Sequence, residues 1–278
     1  VDAGTAESTV EEVARMEAAP TVRVHKDPVT RLMLLTMNTR KAPLDNVNTR
    51  KCFSYAFNYD AFNNGMLKGL ATRSKAPIPD AVPGYPTGIE GYVYDPEKAK
   101  TFCDKARAEG ADLTAPLRLF YFSDGDQTLQ AAQLFQSDLR RVGVNITLVP
   151  SIFARIAADT AKPETTPDMW IHWISPYFVD ADNWIGQMYD SSYQGTWKAS
   201  SWYSTPKLDQ MLREARESAD TARRIQIYQQ AAREVVDAAP EIYIYNAVAA
   251  RGLSRRVKNY TFTPVGYGGE VRYMSVED

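Results

Sequence analysis

The chain has 278 residues, 32 basic and 34 acidic side chains, a formal charge of -2, and 44% hydrophobic and 24% charged residues. This is the balance of an ordinary globular protein, long enough for one large domain or two average ones. It excludes an electrostatic case for nucleic acid or a membrane surface, and no stretch approaches the roughly 18 apolar residues of a spanning helix.

The N-terminus, Val1-Asp2-Ala3-Gly4-Thr5, has no basic or apolar leader region and no initiator Met. A cut chain without a signal peptide is expected, so this end does not reveal the compartment. Ser8-Thr9-Val10-Glu11 reads as a capping box. The short helix behind it places Val10, Val13 and Ala14 on one face and ends near Pro20. Two strands are predicted next, over residues 21–25 and 32–37. Asp45 or Asn46 can cap a helix reaching about Phe57, and Asp60 a shorter one stopping at Gly69. Between about residues 72 and 93, Pro77, Pro79, Pro83, Pro86, Gly84, Gly88 and Gly91 exclude regular structure.

Asp95-Pro96 is a strong helix start, followed by Ala99, Phe102, Cys103 and Ala106 at helical spacing. Residues 117–122 read as a strand, 126–142 as a helix burying Leu129, Ala132, Phe135 and Leu139, and 144–149 as a strand. This strand–helix–strand unit points to an α/β layer. Pro206 and Asp220 open two more helices, the second stopping before Pro240. Residues 241–246 form a strand, and the remainder reads as short strands and turns.

Cys52 and Cys103 both fall on buried helix faces. Two free thiols packed as small hydrophobes are expected, ahead of a disulfide, so cysteine usage leaves the redox compartment open. The only histidines are His25 and His172, and no metal-ligand spacing or CxxC is present. Nucleophile elbow, Walker A and GxGxxG motifs are absent. Asp180-Ala181-Asp182 could be an acid/base or metal pair, but turn and cap chemistry is favoured. No enzyme, cofactor or metal is expected. All five tryptophans lie between Asp168 and Tyr203, interleaved with Tyr177, Phe178, Tyr189 and Tyr193. Such rings suit either a pocket or a mini-core in a loop-rich segment, and the cluster alone does not choose.

Several stretches together resemble the family 5 extracellular solute-binding proteins, the oligopeptide, dipeptide and nickel receptors of ABC importers. They are Leu35-Thr36-Met37-Asn38-Thr39 followed by residues 42–51, then Tyr55-Ala56-Phe57-Asn58-Tyr59-Asp60, then Tyr94-Asp95-Pro96-Glu97-Lys98-Ala99-Lys100. Residues 132–144, Trp173 with Asp180-Ala181-Asp182-Asn183-Trp184, residues 206–212 and Ala239-Pro240-Glu241-Ile242-Tyr243 continue the match in order. The resemblance implies the C-terminal lobe of a two-lobed periplasmic-binding-protein fold, a mixed sheet with flanking helices. Residues 1–30 would be a remnant of the first lobe, 31–249 the second lobe, and 250–278 a return to the first. The strands around Met37 and Tyr243 would be the hinge crossings. The implied function is capture of a peptide or similar small solute in the cleft between two lobes, and delivery to an ABC permease. The implied protein is an extracytoplasmic or periplasmic monomer.

On this resemblance the candidate ligand contacts are Trp170, Trp173, Ser175, Tyr177, Asp180 and Asn38. Peptide-binding members carry an acid just after the Trp that pairs with the peptide ammonium. Here Ile174-Ser175-Pro176-Tyr177-Phe178-Val179 holds none, which leaves sugars, opines or peptides bound elsewhere in the cleft open. Two other readings compete. One is a carboxylate-dependent hydrolase using Asp180 and Asp182. The other is a protein-interaction module using exposed arginines such as Arg213, Arg216, Arg223 and Arg224.

Overall fold

The fold is taken from a computed structural model, which describes residues 9–263 and 271–277. Helix α1 (Val10–Ala18) is opened by a capping box between Thr9 and Glu12, one residue later than expected; Ser8 lies outside the described residues. Strand β1 (Val22–Met37) is a single 16-residue strand, where two were expected. Its ladder to β6 (Glu241–Ser254) shifts register between Pro28 and Leu32, the Pro-containing stretch that reads as a gap in sequence. Asn46 caps α2 (Val47–Ala56) by accepting from Asn48 and Thr49 N–H groups. Asp60 does not cap: Asn58 Oδ1 accepts from Ala61 N–H instead, and residues 61–66 form a π-helical turn.

The Pro/Gly-rich segment is irregular except for a three-residue edge strand, β2 (Ala71–Arg73). Asp95 caps α3 (Pro96–Ala108), with Pro96 at the first position. Then β3 (Leu117–Phe122), α4 (Asp126–Arg141) and β4 (Ile146–Ser151) form the predicted strand–helix–strand unit. Short α5 (Phe153–Asp159) and strand β5 (Met169–Ile174) were not expected. Helices α6 (Ile185–Tyr189), α7 (Pro206–Glu217) and α8 (Thr221–Ala238) follow, and a small pair, β7 (Val257–Lys258) and β8 (Ser275–Val276), lies outside the main sheet.

The main sheet has six strands in the order β2-β6-β1-β5-β3-β4. It is mixed: β1 runs antiparallel to both β5 and β6, whereas β3 is parallel to β4 and β5. Strand β1 is central and buried on both faces, which explains its unbroken apolar run Leu32-Met33-Leu34-Leu35. Met33, Leu35 and Met37 pack with Phe53, Cys103 and Phe135 from α2, α3 and α4. Leu32 and Leu34 pack on the other face with Ile185, Leu212 and Ala231 from α6, α7 and α8.

Cys52 and Cys103 are bonded to each other, not free. Their Cα atoms are 5.2 Å apart across the α2–α3 contact, inside the range a disulfide requires. Each cysteine was placed correctly on a buried face; that the two faces meet is a tertiary fact that spacing along the chain does not contain. Arg50, also buried, ties α2 to the end of α8. Its Nε and Nη2 donate to the Ala238 carbonyl at 3.0 and 2.8 Å, and Nη1 to the Leu44 carbonyl at 2.8 Å. Carbonyls at a helix C-terminus carry partial negative charge, so a guanidinium suits them.

Candidate functional site

Two adjoining cavities of about 200 and 370 Å³ open on the face of the sheet where β1, β5 and the β3–α4 turn meet. Both are lined by Arg31, Asp124, Gly125 and Trp173. Their sizes are in keeping with a small-solute pocket. The smaller adds Leu70, Gln127 and Tyr245; the larger adds Phe122, Phe153, His172, Ser175, Tyr177 and Trp197. Of the candidates read from sequence, Trp173, Ser175 and Tyr177 come together here.

Trp173 is held from both sides. Its Nε1 donates to the Tyr245 hydroxyl at 2.9 Å, and Tyr245 donates on to Gln127. Its ring stacks on Phe122 with centroids 6.0 Å apart, while the Arg31 guanidinium carbon lies 4.6 Å from its centroid. An indole fixed by a hydrogen bond and a stacked ring is a preorganised wall. Tyr177 projects into solvent, 66% exposed. Its backbone N–H donates to Asn183 Oδ1 at 3.2 Å, and Asn183 Nδ2 donates to the Ser175 carbonyl at 3.2 Å. Asn183 therefore shapes the loop that carries both candidates. Lys198 Nζ lies 4.3 Å from the Tyr177 ring centroid. It donates to Gln187 and is only 6% exposed; burial pushes its ammonium down to about 8, with Asp182 opposing that shift.

The other three candidates stand in structural positions. Trp170 is fully buried, its ring stacked on His172 at 3.8 Å and its Nε1 donating to Ser200 Oγ at 2.9 Å. Strand alternation explains this: Trp170 and His172 are two residues apart on β5. Asn38 is 1% exposed, donates to the Pro163 carbonyl at 2.9 Å and accepts from Arg40 N–H. Asp180 pairs with Arg224 at 2.7 Å and accepts from the Asp182 N–H.

Asp182 pairs with Arg216 at 2.8 Å, and Arg216 also bonds Asp190. Burial disfavours the Arg216 charge, but the Asp190 and Asp182 hydrogen bonds outweigh it and push the guanidinium further up. Gly186 leaves room for this pair, since a Cβ there would overlap the Asp182 carboxylate. Both carboxylates are thus turn and cap residues locked to arginines. Two of the arginines offered for an exposed interaction face, Arg216 and Arg224, turn inward to these acids, and Arg223 pairs with Glu214 on the surface. Asp182→Asn should lower stability by roughly 1 kcal/mol, the scale of a partly screened pair, and leave solute affinity within twofold. Urea unfolding beside a binding titration checks both halves.

Beneath the cavity lies a buried polar chain. Thr36 Oγ1 is 2.9 Å from His172 Nε2 and 3.0 Å from Glu241 Oε1, and the other Glu241 oxygen meets the Tyr189 hydroxyl. Tyr189 in turn contacts the Tyr243 hydroxyl at 2.7 Å. Among the described residues no cation faces Glu241, and burial pushes its carboxyl up to about 8, against the Tyr189 and Thr36 hydrogen bonds. Burial pushes the His172 imidazole down to about 3, with the Trp173 backbone opposing.

The family model for bacterial extracellular solute-binding proteins, family 5 (middle region), matches residues 2–196. The chain belongs to this family. Among its family 5 relatives is a probable D,D-dipeptide-binding periplasmic protein of Escherichia coli, 28% identical over 92% of this chain and 48% of that protein. The heme-binding protein A of Haemophilus influenzae is 28% identical over 93% of this chain and 47% of its own length. The chain spans about half the length of the curated relatives it matches. Solved structures share the fold: the periplasmic binding protein DppA of Helicobacter pylori, in complex with the peptide STSA, superposes with a TM-score of 0.85 at 22% identity. That match covers 98% of this chain and 52% of that one. NikA of Brucella suis, in complex with Fe(III)-EDTA, gives a TM-score of 0.87 at 18% identity, over 99% and 57% of the two chains. These neighbours are two-lobed binding proteins, and the relatives are named as binding proteins, not enzymes.

Arg31, Asp124, Phe122, Phe153, His172, Trp197 and Tyr245 line the cavities but were not read as site residues. One signal was available: Arg31 is a charged residue abutting the apolar run of a central strand. The others come from β3, α5, β5, β6 and two connecting segments, and meet only in the fold.

Proposed function

We propose that this chain forms one wall of the solute cleft of an extracytoplasmic binding protein that captures a peptide or similar small solute and delivers it to an ABC permease. The observation that carries the reading is the pair of adjoining cavities whose shared wall is the preorganised Trp173. Family membership supports it, as do relatives whose names specify dipeptides and heme. The Cys52–Cys103 disulfide supports a compartment outside the reducing cytosol. The register shift between Pro28 and Leu32 marks the boundary we assign between the second lobe and the ladder leading to the first. Residues 22–28 and 248–254 then belong to the approach and return, and β1 with β6 supply the hinge crossings.

We revise the contact set to Trp173, Ser175 and Tyr177, joined by Arg31 and Asp124. A hydrolase at Asp180 and Asp182 has no observation behind it, because arginines occupy both carboxylates. In the natural full-length protein, Trp173→Ala should weaken binding of a captured solute at least tenfold by calorimetric titration. Such a loss is the scale of one well-packed aromatic anchor. Unchanged affinity in a folded variant would sink the assignment.

A further inference from the structure

Lys198 is not part of the cavity lining, yet it is a buried lysine, 6% exposed, beside the loop that carries Ser175 and Tyr177. Its Nζ donates to Gln187 on α6 and to the Asn183 carbonyl at 3.4 Å, and lies 3.5 Å from Asn183 Oδ1. It also lies 4.3 Å from the centre of the Tyr177 ring. The Asn183 side chain in turn accepts from the Tyr177 N–H and donates to the Ser175 carbonyl, both at 3.2 Å. One ammonium therefore reaches Tyr177 twice, at its ring directly and at its backbone through a single amide.

That loop has little else to fix its shape. Residues 175–180 lie between the end of β5 and the short turn at Ala181–Asn183, outside the ladders of the sheet. Tyr177, Phe178 and Val179 are all exposed, so packing restrains them weakly. A buried ammonium is costly, and an apolar side chain of similar length would fill the same place without that cost. What the lysine adds is charge: stronger hydrogen bonds to Asn183 and Gln187, and attraction to the Tyr177 ring face.

We propose that Lys198 is a positioning residue: with Asn183 as its relay, it clamps residues 175–179 in the shape that presents Ser175 and Tyr177 to the cavity. The value of the clamp for binding rests on that cavity being the solute site; the clamp itself does not.

The clamp should depend on pH. Burial pushes the Lys198 ammonium down to about 8, with Asp182 opposing. Asp182 is shared with Arg216 of α7 and the Tyr228 hydroxyl of α8. Despite burial, Arg216 is pushed further up by Asp190 and Asp182, and burial pushes Tyr228 up to about 12, so neither changes charge between pH 7 and 9. The remaining contacts are the Gln187 and Asn183 amides and the faces of the Tyr177 and Trp197 rings. The clamp is therefore charged at pH 7 and loosens as pH rises through 8.

The test is limited proteolysis of the natural full-length protein. Chymotrypsin cuts after aromatic residues, so its nick rate at Tyr177-Phe178, followed by mass spectrometry, reads loop opening. Each rate is divided by that for a free peptide of residues 174–183 at the same pH. At pH 7, Lys198→Met should be nicked at least fivefold faster than the wild type, with an unchanged melting profile and unchanged cutting elsewhere. From pH 7 to 9 the wild-type rate should rise at least threefold, while Lys198→Arg stays slow and Lys198→Met stays fast. If Lys198→Met does not fold, Lys198→Gln, which keeps donors without the charge, should open the loop in its place. A nick rate within twofold of wild type in the folded neutral variant, a wild-type rate flat from pH 7 to 9, or a Lys198→Arg loop as open as the neutral one would each overturn the proposal. Trp173→Ala tests the solute-site reading separately: solute capture that survives it, beside a loop that opens in Lys198→Met, would remove that reading and uphold the clamp.

Discussion

Removing the Cys52–Cys103 bond should lower the free energy of unfolding by about 3–4 kcal/mol, the largest effect expected of any local change in this chain. The bond closes a loop of 51 residues. A cross-link of that span removes a large share of the conformations open to the unfolded chain. The loop contains the second half of α2, the irregular proline-rich segment and α3 as far as Cys103. That irregular segment has few backbone hydrogen bonds of its own, so it depends on its two anchors. Both cysteines are fully buried in the core formed with Phe53 and Phe135. Urea unfolding of the Cys52→Ala, Cys103→Ala double variant, with and without reductant, measures the effect. Reductant should destabilise the wild type and leave the double variant unchanged. A wild type whose stability is indifferent to reductant, with free thiols by mass spectrometry, would contradict the bonded state.

The second large effect is a pH dependence set by Glu241 and His172. Glu241 is held protonated in the fold, with its carboxyl raised by burial to about 8 from an ordinary value of 4.5. Its contribution is fully present below pH 4.5 and is lost as pH rises through 8. His172 is held neutral, lowered by burial to about 3 from 6.5. Its contribution is fully present above pH 6.5 and is lost as pH falls through 3. Between pH 4.5 and 6.5 the two slopes oppose each other, because folding takes up one proton at Glu241 and releases one at His172. From pH 6.5 to 8 only Glu241 still acts, and stability should fall by about 2 kcal/mol. Glu241→Gln keeps the shape and the contacts to Thr36 and Tyr189 but has no proton to lose. Its stability should rise from pH 4.5 to 6.5 and then level off, a difference readable by chemical denaturation at a series of pH values. Parallel curves for wild type and variant would show that Glu241 does not titrate with the fold.

The helices were the most legible part of the chain. Their signals are local: Asp95-Pro96, Thr205-Pro206 and Asp220 each place a capping oxygen beside the first turn, and the apolar faces repeat at helical spacing. Strand β5 escaped because it is buried on both faces of the sheet near its center. Met-Trp-Ile-His-Trp-Ile does not alternate in polarity, and the aromatic crowding suggested a loop cluster. The same crowding suggested Trp170 as a pocket residue; in the fold it is fully buried, its ring stacked on His172 and edge-on to Phe122, two residues that line the cavity themselves. The site was half legible for a related reason. Trp173, Ser175 and Tyr177 lie together in sequence, so a motif could find them. Arg31 and Asp124 reach the same cavity from β1 and from the turn before α4, and only the sheet order β1-β5-β3 makes them neighbours. The disulfide was missed because two correct local readings do not say that α2 packs on α3.

A solute held in these cavities is the central claim to test. Native mass spectrometry of the natural full-length protein, purified from its own cells and then incubated with peptide mixtures, asks this directly. A bound small-molecule mass that disappears in Trp173→Ala is the expected result. A wild type that stays at its bare protein mass through both steps would contradict it.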